Sequence, residues 1–266
     1  MERTIQKKFP VGDGSWVTVD VYGEPDAPGL VVVPGAMSDA LGWRAVASAV
    51  DAWPSVAVVN RRGRAPSGPL TAAYSLRTEV ADLGAVLDGL GGVRTLFGWS
   101  YGGLIALLAA DERPLGQVIA YEPVIRPFGL DVLPDLKAAD EAADRDRAVE
   151  IVHRRIAGLD GAVVETLRAD PEVWEALRAL AAPLHAETAA LYGEPAPDAL
   201  ARRADRVDLI VGGANRGTAP YGTSFDDVAR RVPAAEVHEL PGQGHMAHLQ
   251  APAELARLLE GLAAAG

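Results

Sequence analysis

The stretch Gly98-Trp99-Ser100-Tyr101-Gly102-Gly103 decides how this sequence is read. Before it, residues 94–97 form a short β-rich run. After it, residues 104–110 are apolar throughout, as in a buried helix, and far short of the ~20 residues that a membrane span needs. A serine at so tight a strand-to-helix turn has a strained backbone and stands its hydroxyl above the sheet. Side chains two positions to either side would collide with neighbouring backbone, which accounts for Gly98 and Gly102. The helix opening at the serine aims its first N–H groups at developing negative charge. The competing reading is a glycine-rich turn with an idle serine. The flanking strand and helix, together with a histidine far downstream, favour Ser100 as a nucleophile.

Working outward, residues 16–22 alternate apolar and polar like a half-buried antiparallel strand. Residues 30–33 and 56–59 are continuous apolar runs, the mark of strands covered on both faces. Between them, residues 40–50 have helical spacing. Residues 74–90 carry Leu76, Val80, Leu83, Val86, Leu87 and Leu90 at steps of three and four, an amphipathic helix stopped by Gly91-Gly92. Residues 117–121 form another strand. Strands alternating with helices predict an α/β fold, a mostly parallel central sheet flanked by helices. From 134 to 205 strand runs disappear and Ala, Arg, Asp and Glu dominate. The strand pattern returns at 207–211 and 235–240, before a final helix over 252–262. The expected organisation is a core of residues 1–133 and 206–266, with 134–205 as a helical lid insertion over the sheet's carboxyl edge.

Composition narrows the function. Of 266 residues, 49% are hydrophobic and 23% charged, the balance of an ordinary globular protein. A formal charge of −11 would repel a phosphate backbone, so nucleic acid is not expected as a partner. The absence of cysteine removes thiol catalysis, thiolate metal sites and disulfides together. The segment from Met1 to Pro10 has no apolar stretch behind its basic residues, so no secretory leader, no membrane association and a cytoplasmic location are expected. With no phosphate-binding loop and no ligand cluster, neither cofactor nor metal is expected. The expected partner is a small-molecule substrate; the oligomeric state is not legible.

Five histidines could serve as a base for Ser100. His153 and His185 fall in the helical block, and His238 lies inside the last strand run. His245 follows that strand on the loop Pro241-Gly242-Gln243-Gly244-His245, which can swing it back over the serine. His248 is its competitor, and the two together would make a weak metal pair lacking a carboxylate. His245 is therefore the expected base.

A third group must hold the imidazole and stabilise its cation. The loop after the penultimate strand, Val211 to Arg216, offers only Asn215, which can orient a histidine but brings no charge. One strand earlier, Glu122 in Tyr121-Glu122-Pro123 stands at a strand's carboxyl end, facing the crevice of Ser100. Its bland reading is a turn cap or a pair with Arg126. Asp208 sits too early in its strand, and Asp226 and Asp227 read as first-turn helix residues. Glu122 is the expected acid. For an oxyanion hole, the backbone N–H of Tyr101 and that of Ala36, in Pro34-Gly35-Ala36-Met37-Ser38, are the expected donors, with Met37 the alternative to Ala36. Trp99 and Met37 are expected to line the substrate pocket. Arg61, Arg62 and Arg64 read as a solvated turn with ion pairs.

Taken together, the loop Asn60-Arg61-Arg62-Gly63-Arg64-Ala65-Pro66-Ser67-Gly68, Gly98 to Gly103, Tyr121-Glu122-Pro123 and Pro241-Gly242-Gln243-Gly244-His245 resemble the α/β-hydrolase fold superfamily, in particular bacterial serine hydrolases with an Arg-Arg-Gly-Arg loop. The resemblance runs from about residue 30 to the C-terminus, and the order serine first, histidine last agrees with it. It implies hydrolysis of an ester, lactone or thioester of a small apolar substrate through an acyl-serine. Carbon–carbon bond hydrolysis and cofactor-free perhydrolysis use similar constellations, and a non-catalytic receptor on the same fold is the alternative from another class. Haloalkane dehalogenases and epoxide hydrolases resemble this fold but use an aspartate nucleophile, which Ser100 argues against. Two departures stand out: Pro34 where many relatives have histidine, and Asn215 in place of the commoner aspartate. In some relatives, including haloalkane dehalogenases and zearalenone-type lactonases, a glutamate after the earlier strand is the acid, which supports Glu122.

Overall fold

A computed structural model describes residues 4–27 and 29–264. Met1 to Arg3, the head of the segment in which no leader is expected, lie outside the described residues, as do the last two residues of the expected core. Eight strands form one sheet: β1 (Thr4–Pro10), β2 (Trp16–Gly23), β3 (Leu30–Val33), β4 (Ser55–Asn60), β5 (Thr95–Trp99), β6 (Leu115–Tyr121), β7 (Ala204–Gly212) and β8 (Glu236–Leu240). Their order is β1-β2-β4-β3-β5-β6-β7-β8. β1 pairs with β2 and β2 with β4 antiparallel, and every other neighbouring pair is parallel.

The all-apolar runs occupy the covered centre, as expected. Every residue of β3 and β4 is buried. β3 sends Val31 and Val33 into one core and Leu30 and Val32 into the other, so each face of the sheet has its own apolar layer. The first layer packs against α2 (Leu76–Leu90), α3 (Tyr101–Glu112) and α9 (Tyr221–Ala229); the second against α1 (Arg44–Ala47), α10 (Ala247–Gln250) and α11 (Pro252–Ala264). Burial of each such Val, Leu or Ile contributes roughly 1.5–3 kcal/mol. α2 starts at a capping box between Ser75 and Thr78 and ends at Gly91, whose φ is 68°.

Between β6 and β7 the chain forms only helices: α4 (Leu133–Glu141), α5 (Arg145–Ile151), a π-turn over Val152–Ile156, α6 (Gly161–Ala169), α7 (Pro171–Leu180) and α8 (Leu184–Ala190). They gather around an apolar cluster of their own that includes Val132, Leu136, Val149, Val164, Trp174 and Leu184.

Three readings need correction. β1 was not expected, because its burial is almost nil and it carries Lys7 and Lys8; charged side chains are the usual protection of an edge strand. The helix expected over 40–50 shrinks to a 3-10 turn, Leu41–Trp43, and the four residues of α1. Asp226 and Asp227 lie in the second half of α9 rather than its first turn, where Asp227 pairs with Arg230.

Candidate active site

Ser100 sits between β5 and α3 with φ 58° and ψ −123°, a left-handed conformation that a non-glycine residue adopts only at a cost of order 1–3 kcal/mol. The turn is as tight as the sequence requires: a Cβ on Gly102 would lie 2.1 Å from the Val33 carbonyl oxygen, and one on Gly98 2.4 Å from that of Gly102. The loop after β3 passes directly over the serine. A Cβ on Gly35 would come within 2.8 Å of the Ser100 Cβ, so only glycine fits there. The N–H groups of Ala36 and Tyr101, on the two sides of this contact, have no acceptor among the described residues.

Glu122 follows β6 immediately, with φ 41°, its N–H tied to the Ile210 carbonyl at 2.9 Å. Its carboxylate is fully buried and heavily satisfied. Oε1 accepts from Gly212 N–H at 2.9 Å, and Asn215 Nδ2 donates to Oε1 at 3.0 Å and Oε2 at 2.9 Å. The remaining contact is to His245, whose Nδ1 lies 2.6 Å from Oε2. An ionised carboxylate only accepts, so Nδ1 carries the proton and Nε2 offers a lone pair. Thus the carboxylate stands after β6, and the asparagine after β7 steadies that carboxylate.

The imidazole is clamped. Tyr221, at the start of α9, stacks on it with ring centroids 3.6 Å apart and planes 14° from parallel, while Trp99 contacts it at 4.7 Å. Trp99 Nε1 donates to the His245 carbonyl at 2.8 Å, so the residue before the candidate nucleophile holds the loop that bears the candidate base. Tyr121, the residue before Glu122, donates its hydroxyl to the Gly244 carbonyl. Ser100 and His245 each retain 7% exposure. Burial lowers the His245 pKa, against a weaker upward pull from Glu122, so the ring is neutral at pH 7.

The other candidates lie elsewhere. His248 is buried face to face with Trp43, centroids 4.5 Å apart, with Nδ1 unpartnered. Burial, then the nearby His245, lowers its pKa to about 3. His153 bonds the Val149 carbonyl, and His185 and His238 pair with Asp140 and Asp208. Among the described residues, the single group of three possible metal ligands in close reach is Asp208, Glu236 and His238, and Arg206 already pairs with both of its carboxylates. Trp99 is 3% exposed, spent on Trp43, His245 and His248 rather than open to a ligand; Met37, with φ 55°, packs against the cluster of the helical segment.

The arginine loop is the clearest correction to the sequence reading. Arg61, Arg62 and Arg64 are buried, not solvated. Arg62 makes a two-pronged pair with Asp82, and Arg64 one with Glu187 of α8. Tyr221 was missed altogether; an aromatic in the loop region after the penultimate strand carries no signal that it will lie on a histidine 24 positions on.

A family comparison agrees with this architecture. Residues 30–258 match the alpha/beta hydrolase family. The chain belongs to that family, and is an enzyme of the hydrolase class. Among solved structures it is similar to an alpha/beta hydrolase from Sphaerobacter thermophilus, with 26% identity, TM-score 0.78 and coverage of 96% of this chain and 99% of that one. It also resembles a carboxylesterase of Nitrososphaera gargenis (20% identity, TM-score 0.73, 97% and 98% covered) and a thermophilic esterase from Thermogutta terrifontis (21% identity, TM-score 0.69, 97% of each chain). At 20–21% identity the last two show the shared fold alone. A search of the curated proteins found no match.

Proposed function

We propose that this protein is a serine hydrolase that cleaves an ester, lactone or thioester of a small apolar substrate through an acyl-serine. The observation that carries the reading is the 2.6 Å contact of a buried carboxylate with His245, together with a strained Ser100 whose N–H bonds the carbonyl of the residue before that carboxylate, Tyr121, at 2.9 Å. His245 Nε2 takes the Ser100 proton as Oγ attacks the carbonyl carbon, and Glu122 holds the resulting imidazolium through Nδ1–H. The tetrahedral oxyanion is received by the Ala36 and Tyr101 N–H groups. As the intermediate collapses, His245 gives its proton to the leaving alkoxide or thiolate. It then takes one from water, which attacks the acyl carbon, and returns it to Ser100 Oγ as the second tetrahedral intermediate collapses to the acid and the free enzyme. No cofactor enters any step.

The Tyr221 face supports the same role, since an aromatic face stabilises a cationic ring as well as fixing it. The helices α4–α8 are the lid in this reading, with Met37 lining the pocket beneath them. Trp99 is assigned to holding the His245 loop. A panel of p-nitrophenyl esters, lactones and thioesters of increasing acyl length tests the proposal. Turnover of short acyl members, abolished by Ser100→Ala, is expected. A folded protein that binds panel members and turns none over would instead be a receptor on this scaffold.

A further inference from the structure

The buried Arg61 is not used in the steps above, yet its guanidinium reaches the oxyanion loop directly. Nε donates to the Pro34 carbonyl at 2.9 Å and Nη2 to the Gly35 carbonyl at 2.9 Å. The Gly35 carbonyl and the Ala36 N–H belong to one trans peptide, and in such a plane they point to opposite sides. Fixing the carbonyl therefore aims the N–H. The second donor is held by the same group of residues. The guanidinium lies 5.0 Å from the Tyr101 ring centroid, and the Tyr101 hydroxyl is 3.3 Å from that of Tyr74, which donates to Glu79 Oε1 at 2.6 Å.

Arg61 is in turn anchored at two places. Nη1 donates to Glu79 of α2 at 2.6 Å, and Nη2 lies 2.6 Å from Glu187 Oε1 of α8, which Arg64 also grips. Four acceptors, two on the loop after β3 and one each on α2 and α8, thus converge on one planar fork, an arrangement a lysine point charge cannot reproduce. Two arginines face two glutamates, so the buried charges balance. A network of this kind is no cheaper than a well-packed apolar one, so stability alone does not account for it.

We propose that Arg61 is the positioning residue of the oxyanion hole, and that Glu187 couples it to the helical segment, so that the seating of α8 sets the aim of the Ala36 N–H. The inference rests on the serine hydrolase reading for its catalytic consequence but not for the coupling itself. Two variants test it against a control. Arg61→Lys and Glu187→Gln remove the fork and one anchor. Arg62→Lys loosens an equally buried pair, with Asp82, that does not touch the oxyanion loop.

With a turned-over ester, kcat is expected to fall about 100-fold in Arg61→Lys and about 10-fold in Glu187→Gln at nearly constant KM, since one oxyanion donor is worth about 100- to 1,000-fold. Affinity for a boronic acid transition-state analogue should fall in step. Arg62→Lys should leave both unchanged. Amide NMR of alanine- and tyrosine-labelled protein reports the coupling independently of turnover: Glu187→Gln is expected to shift the Ala36 and Tyr101 amides, and Arg62→Lys neither. A wild-type protein that turns over no ester would sink the hydrolase reading, while the amide shifts would still decide the coupling. Folded Glu187→Gln with wild-type kcat and amide positions would overturn the inference, and so would an equal loss in Arg62→Lys.

Discussion

Two histidine–carboxylate pairs sit at this sheet, alike in their close contact and buried carboxylate and different in their surroundings. His245 meets Glu122 at 2.6 Å at the carboxyl edge; His238 meets Asp208 at 2.8 Å. Asp208 is level with Ile119, three residues before Glu122, which places it roughly 10 Å further down the strands. Both carboxylates are fully buried. At the lower pair, Arg206 and Gln117 share the Asp208 oxygens, and His238 engages through Nε2, its side chain 24% exposed. At the upper pair, uncharged amides hold the carboxylate, Nδ1 makes the contact, and Nε2 has no hydrogen-bond partner among the described residues, while the strained Ser100 bonds the Tyr121 carbonyl, one residue before that carboxylate. A close imidazole–carboxylate contact is thus not itself a mark of catalysis. The distinguishing features are which nitrogen is engaged, what else neutralises the carboxylate, and how far the ring is exposed.

Substitutions can break or sharpen that contrast. The largest effect is expected from Ser100→Ala, which should reduce ester turnover to the uncatalysed background while leaving the thermal transition near that of wild type. Glu122→Gln comes next: about 1,000-fold or more in kcat, because the amide neither holds the imidazolium nor enforces its tautomer. Asn215→Ala should cost less than about 10-fold, since Gly212 N–H still holds the same carboxylate. A reversed ranking of the last two in steady-state kinetics would reassign the acid.

The pH profile probes the same difference. Burial lowers the His245 pKa, so the acid limb of kcat/KM should lie below the ordinary histidine value of 6.5. In Glu122→Gln the upward pull is gone and the limb should move further down, even as the rate falls. Stability should follow: a ring buried neutral favours folding above its unfolded pKa, and that contribution is lost as pH falls. The smallest effect belongs to the lower pair. His238→Ala should leave kcat unchanged and shift stability by about 1 kcal/mol or less, measurable by denaturant unfolding. A loss of turnover there would erase the distinction between the pairs.

Much of the upper site was legible because its requirements are local. A tight strand-to-helix turn needs Gly98 and Gly102, and a carboxylate directly after an apolar strand must stand at the crevice. The order of Ser100, Glu122 and His245 along the chain then matches their strands. What escaped was set by tertiary packing. Nothing in the chain's periodicity announces that Tyr221 covers His245, or that Asn215 clamps Glu122 with both oxygens in reach. The arginine loop misled because charge normally means solvent; its partners Glu79, Asp82 and Glu187 lie 18 to 123 positions away. β1 escaped for the opposite reason, since an exposed edge strand shows little apolar alternation.

The central claim is that Ser100 is an activated nucleophile, and labelling with a fluorophosphonate followed by peptide mapping tests it most directly. One adduct per chain on the peptide bearing Ser100 is predicted, forming far more slowly in Glu122→Gln. Folded wild-type protein that acquires no adduct at Ser100, or acquires it on another residue, would contradict the account.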